Sequence, residues 1–155
     1  MRYLVVVLTG LSLLSTIVPA KAGETIKEDS VLVCVTDKWD EKEPEKGHKI
    51  ADAVQRCILV PRESGGGEKV AEDCVGKYEY MPDGSWTGSG TCVDKRKDGT
   101  LSVSWEEGSA LKEYTYKITG GTGKYEGASG GGAYTYDNLT DTVVAGYDKG
   151  TIVLP

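Results

Sequence analysis

Val70-Ala-Glu-Asp-Cys-Val-Gly-Lys-Tyr-Glu-Tyr80, Met81-Pro-Asp-Gly-Ser85 and Trp86-Thr-Gly-Ser-Gly-Thr-Cys-Val-Asp-Lys95 together form the stretch on which the fold turns. Two runs of alternating character flank a segment rich in turn-forming residues, the pattern of a β-hairpin. Residues that face each other in an antiparallel pair share a side of the sheet. Centring the hairpin on Pro82–Gly84 therefore pairs Cys74 with Cys92, Gly76 with Gly90, Tyr78 with Gly88 and Tyr80 with Trp86. That side is aromatic, cysteine and glycine, whereas the other carries Thr87, Ser89 and Thr91. Such alternation marks strands with one face in a core.

The same arithmetic extends downstream through the runs Leu101–Glu106, Lys112–Thr119, Gly132–Tyr136 and Tyr147–Leu154. The Asp98-Gly99 turn leaves two registers open, one of which sets Cys92 opposite Val103. The Gly108-Ser109 turn predicts Val103 opposite Tyr114 and Leu101 opposite Tyr116; the glycine-rich loop after it predicts Tyr114 opposite Tyr136 and Tyr116 opposite Tyr134. The inner face then continues through Leu101, Val103, Trp105, Tyr114, Tyr116, Ile118, Tyr134 and Tyr136, and the outer face through Ser102, Ser104, Thr115, Lys117 and Thr135. Upstream, Val31–Thr36 reads as the first strand and residues 50–60 as the second, although Ala51–Arg56 also suits a helical turn. The charged residues 37–49 between them read as a solvated loop, with a lid over a cavity as the rival reading. Ser64–Gly67 turns the chain into the third strand.

At least five successive runs share one apolar face, and no amphipathic helix is available to cover an open sheet. The prediction is an all-β fold, an antiparallel eight-stranded closed barrel of lipocalin-like shape, with a two-sheet sandwich as the alternative packing. Glycines opposite Tyr78 and Tyr80 let large rings lie across a neighbouring strand. The chain contains no Phe, so Tyr78, Tyr80, Trp86, Trp105, Tyr114, Tyr116, Tyr134 and Tyr136 are the interior candidates, each with a polar handle to satisfy. They either fill a core or line a cavity for a small hydrophobic or aromatic ligand.

The first 22 residues read as a secretory signal: Arg2, the apolar runs Leu4–Leu8 and Leu11–Val18, and Ala20-Lys21-Ala22 before a cut at Gly23. Residues 23–155 are then a single domain, secreted or periplasmic, with no further span long enough for a membrane. That domain keeps all 24 acidic residues and loses two of the 18 basic ones, which argues against nucleic acid or anionic membranes as partners.

Cys34, Cys57, Cys74 and Cys92 are an even set in an exported chain and predict two disulfides. The hairpin pairs Cys74 with Cys92, which leaves Cys34 and Cys57 on sequential strands. A rival register of the Ser64–Gly67 turn sets Cys57 opposite Cys74 and sends Cys34 to Cys92. No Cys-x-x-Cys occurs and His48 is the only histidine, so no metal and no cofactor are expected.

Ile118-Thr-Gly-Gly-Thr-Gly-Lys-Tyr-Glu-Gly-Ala-Ser-Gly130 makes a compact loop with residues at positive φ, and Tyr125 is the large residue able to pin it to the barrel rim. Gly120, Gly121, Thr122, Gly123, Tyr125, Glu126, Gly127 and Gly130 resemble the glycine loop of the allene oxide cyclase and dirigent superfamily of barrels. Tyr147–Leu154 is similar to the closing strand of those barrels, so the specific resemblance spans residues 113–154. The layout is most like exported bacterial members of uncharacterised function. The resemblance implies an eight-stranded barrel and, as enzymatic readings, an isomerase or cyclase acting on an unsaturated epoxide or a phenolic intermediate. It carries no catalytic residues over, because the strands that would hold them match only in pattern.

Gly-Thr-Gly-Lys124 is not a phosphate loop, since Ile118 stands where the first glycine belongs and Tyr125 where Ser or Thr belongs. Asn138-Leu-Thr140 is a formal glycosylation sequon and also an ordinary turn. A lone histidine supplies no nucleophile–base arrangement. Glu79, Asp94 and Glu113 are placed off the aromatic face and, with Glu106 and Glu126, read as solvated charges. Three functions follow: a barrel binding a small hydrophobic or aromatic molecule, an isomerase or cyclase, or a structural module that forms homo-oligomers through a polar outer face.

Overall fold

The computed structural model describes residues 23–63 and 67–155. The predicted signal segment and most of the Ser64–Gly67 turn lie outside the described residues. Eight strands follow one another: β1 (Thr25–Glu45), β2 (His48–Pro61), β3 (Val70–Tyr80), β4 (Trp86–Arg96), β5 (Gly99–Gly108), β6 (Tyr114–Gly123), β7 (Ser129–Asn138) and β8 (Val143–Val153). Each pairs antiparallel with its successor, and β8 pairs back onto β1 to close the barrel. Closure removes the sheet edges that an open meander would expose.

The β3–β4 hairpin pairs as the turn chemistry predicts, Cys74 with Cys92 and Tyr80 with Trp86. Cys92 meets Val103, which selects one of the two registers open for β4–β5. Two downstream registers differ from expectation. Val103 lies opposite Ile118 and Trp105 opposite Tyr116, because β5 runs to Gly108 and β6 starts only at Tyr114, with a bulge near Ser102. Tyr114 faces Tyr134 and Tyr116 faces Gly132. At the aromatic positions both slips are even, so all eight aromatic candidates point inward; beyond the bulge the β5–β6 offset is odd, which reaches only residues 120–123.

Residues 37–45 are not a loop. β1 continues through them and pairs with β2 as far as Glu45 opposite His48, beyond the last β1–β8 pair at Val35 and Val143. Exposed cross-strand ion pairs suit this extension: Arg56 Nη2 donates to Asp37 Oδ1 at 2.7 Å and Lys49 Nζ lies 2.8 Å from Glu41. An irregularity between Thr36 and Lys38 shifts the phase, which brings Trp39 onto the inner side opposite Ala53. β2 is strand throughout, so Ala51–Arg56 forms no helical turn.

Disulfides join Cys34 to Cys57 and Cys74 to Cys92. Cys57 faces Glu72 and Cys74 faces Gln55, so the rival pairing has no directly opposed partners. The glycine loop is shorter than expected, because β6 absorbs Gly120–Gly123 and β7 absorbs Gly130. Gly123 (φ 61°) and Gly127 (φ 74°) take the left-handed turns that the connection needs. Tyr125 is buried beneath it, its hydroxyl donating to Glu68 at 2.7 Å. The outer face is not polar throughout: it is polar on β5 to β7, but Val35, Val54, Ile58, Val75, Val93 and Tyr147 are exposed elsewhere.

Candidate functional site

Glycines shape the interior wall. Gly76 and Gly90 face each other, and a Cβ built on either would reach within 2.5 Å of the Trp105 ring, so the indole lies flat over both strands. Tyr78 covers Gly88 in the same way, where a Cβ would come within 2.7 Å of its ring. On the opposite wall Tyr116 lies across Gly132 and Gly150. Towards the end formed by the β1–β2, β3–β4, β5–β6 and β7–β8 turns, the rings make a collar. Trp39 and Tyr78 have centroids 5.1 Å apart, Trp86 and Tyr114 6.0 Å, and Tyr114 and Tyr136 5.3 Å. Trp39 was absent from the candidates because the bulge that turns it inward leaves no periodic trace.

The rings do not fill the space completely. A cavity of about 70 Å³ remains, bounded by Trp105, Tyr78, Tyr116, the two disulfides and inward carboxylates. One water needs about 10–15 Å³, so this space takes several waters or one compact chemical group. It is far below the several hundred Å³ of a site enclosing a whole drug-sized molecule.

Acidic side chains sit at both ends of the cavity. Glu107 continues the inward phase of Leu101, Val103 and Trp105, and its carboxylate accepts hydrogen bonds from Tyr134 (2.7 Å) and Tyr136 (2.8 Å). Burial raises its pKa while the phenols lower it, and the net direction is up. Further down lie Glu28, Glu72, Asp94 and Asp148. Asp94 corrects the sequence reading: it is 4% exposed and faces inward, in phase with Cys92, rather than outward to solvent. It meets Glu72 directly across the β3–β4 pair, and burial with the Asp94 charge pushes Glu72 well up. Burial, then Glu28 and Asp94, push Asp148 up to about 7. The nearby cation is Arg96, whose Nη2 lies 2.7 Å from Glu28 and 3.1 Å from Asp94.

The other four acids behave as the sequence predicts, since Glu79, Glu106, Glu113 and Glu126 are exposed. Glu79 pairs with His48 at 2.7 Å. Glu28, Glu72, Glu107, Asp148 and Arg96 escaped the sequence reading, although each continues the period-two phase of an apolar neighbour on its strand. Among the described residues, Cys57, Glu72 and Cys74 bring potential ligand atoms within 4.8 Å of one another. Both sulfurs are bonded in disulfides, so no thiolate is there to hold a metal.

A closed eight-stranded antiparallel barrel with an acidic, aromatic-walled cavity is thus the class of protein that the fold and the site define. Among solved structures it is similar to the pterocarpan synthase dirigent protein GePTS1, at 14% identity and a TM-score of 0.55, covering 94% of this chain and 98% of that one. The pterocarpan synthase dirigent protein PsPTS1 superposes at 13% identity and a TM-score of 0.52, covering 88% and 99%. A protein of unknown function from the DUF3224 family of Shewanella oneidensis does so at 11% identity and 0.53, covering 81% and 96%. The fold is dirigent-like. No protein-family model matches the chain, and neither does any curated protein.

Proposed function

We propose that this is an exported barrel that binds a small aromatic molecule, ring among the collar and polar end in the cavity. The cavity carries this reading: it joins a wall of Trp105, Tyr78 and Tyr116 to uncompensated polar groups, the composition of a small-molecule site. Its size admits the polar end of a ligand and leaves the remainder to stack between Trp39, Trp86 and Tyr114. Export is supported by the two disulfides, which suit an oxidising compartment, and by the signal-like first 22 residues. Titration with 2-phenylethanol, followed by tryptophan fluorescence, tests the reading. Saturable one-to-one binding that Trp105→Ala weakens supports it, and a linear, unsaturable response overturns it.

Asp148 favours a second reading, an isomerase or cyclase acting on an unsaturated epoxide or phenolic intermediate. A carboxyl held near pKa 7 at a cavity wall can both give and take a proton at neutral pH. Turnover of an unsaturated epoxide that Asp148→Asn abolishes would establish this activity; absence of turnover, with binding intact, would reduce the protein to a binder.

A further inference from the structure

We infer that the cavity selects a primary ammonium group, so that the natural ligand is a small amine with an apolar or aromatic tail. This rests on the small-molecule reading above and adds the charge and donor chemistry of the ligand. Glu28, Glu72, Asp94, Glu107 and Asp148 line the cavity, and no Lys, Arg or His lines it among the described residues. Arg96 stands beside it with a side chain 3% exposed; its Nη2 is engaged by Glu28 and Asp94, and its Nε is buried without a partner. Ionised, these acids leave an excess of negative charge inside low-dielectric walls that attracts a cation, and a bound cation in turn favours their ionised forms.

Two oxygens lack partners. Asp94 Oδ1 and Asp148 Oδ1 are buried without a hydrogen bond, on side chains 4% and 5% exposed that face the cavity. An unpaired buried acceptor is costly, and a ligand that donates to it removes that cost. A divalent metal needs several oxygens converging at about 2.0–2.6 Å. No three carboxylates among the described residues bring oxygens within 4.8 Å of one another, so the acids are too dispersed for a metal. An ammonium has three rotatable N–H donors and reaches about 2.8–3.0 Å to each acceptor, which tolerates this dispersion. A quaternary ammonium has no N–H and would leave Asp148 Oδ1 unpaired. The rings of Trp105 and Tyr78 on the same wall add cation–π attraction. The about 70 Å³ of space suits a –CH2–NH3⁺ head, and the collar takes the tail.

Calorimetric titration of the full chain at pH 8 with 2-phenylethylamine, 2-phenylethanol and 3-phenylpropionate tests the inference. The amine should bind about tenfold or more tighter than the alcohol, and the carboxylate should not bind. In Asp148→Asn the amine should weaken about tenfold while the alcohol changes less than about twofold. Equal affinity of amine and alcohol in the wild-type chain overturns ammonium selection and leaves the small-molecule reading standing. Binding of none of the three overturns both.

Discussion

Tyr134 donates a 2.7 Å hydrogen bond to Glu107 across the barrel, from β7 to β5 over the intervening β6. Tyr136 reaches the other oxygen of the same carboxylate. Glu107→Leu strips both phenols of their acceptor and should cost about 2–4 kcal/mol in urea melts. Glu107→Gln keeps one amide oxygen and should cost about half as much. Equal stability of Glu107→Leu and wild type would show that the phenols find other partners.

Stability should fall as pH rises from about 4 to 7. The folded pKa of Asp148 is raised above its ordinary value of 3.8, so across that interval the folded chain holds a proton that the unfolded chain has released. Glu28, Glu72 and Asp94 face Asp148 from β1, β3 and β4, Tyr116 faces it from β6, and Arg96 partly offsets their charge. Glu28, Glu72 and Glu107 are shifted in the same direction and steepen the fall, while the lowered Asp37, Glu41, Glu68 and Asp83 oppose it only at the acid end of the interval. The slope from Asp148 is at most about 1.4 kcal/mol per pH unit. Asp148→Asn removes a repelling charge, so denaturant melts should find it more stable than wild type at pH 8 by about 1–3 kcal/mol, with the gap closing below pH 5.

Gly90 and Gly120 should respond unequally to alanine. A Cβ on Gly90 comes within 2.5 Å of the Trp105 ring and meets the Val75 carbonyl oxygen, whereas one on Gly120 meets nothing within 4 Å. Gly90→Ala should therefore cost about 2 kcal/mol or more, as overpacking does. Gly120→Ala should stay within about 0.5 kcal/mol. Thermal melts of the two variants decide the point.

Peptide mapping without reductant should recover Cys34 joined to Cys57 and Cys74 joined to Cys92. Replacing Cys74 and Cys92 together by alanine should lower stability by about 2–4 kcal/mol. A peptide that joins Cys57 to Cys74 would contradict the β2–β3 register as well as the bond.

The barrel was legible in the chain because period-two alternation is local. Cys74, Tyr78 and Tyr80 against Trp86 and Cys92, with a turn between them, determine a hairpin and its inner face without reference to the rest of the molecule. The same period carried the inward face through Trp105, Tyr116 and Tyr134, and it survived two wrong registers because both slips were even at those positions. Cysteine count predicted two disulfides and strand order favoured the observed pairing, while the β2–β3 register removed its rival.

The site belongs to the tertiary structure. Asp94 and Glu107 share the phase of their apolar neighbours, yet a lone charge reads as solvated or as lying past the strand, since burying it alone is costly. Only closure shows what offsets that cost: Glu28 on β1 holds the Arg96 that pairs with Asp94, and two phenols from a strand that is not a neighbour serve Glu107. Residues 37–45 read as loop for a related reason, since nothing in so polar a run reveals that β2 offers it a full ladder of backbone partners. Alternation is fixed by neighbours two residues apart, and the chain carries it openly. Which groups meet across the interior depends on shear and closure, which sum over all eight strands and exist only once the barrel has formed.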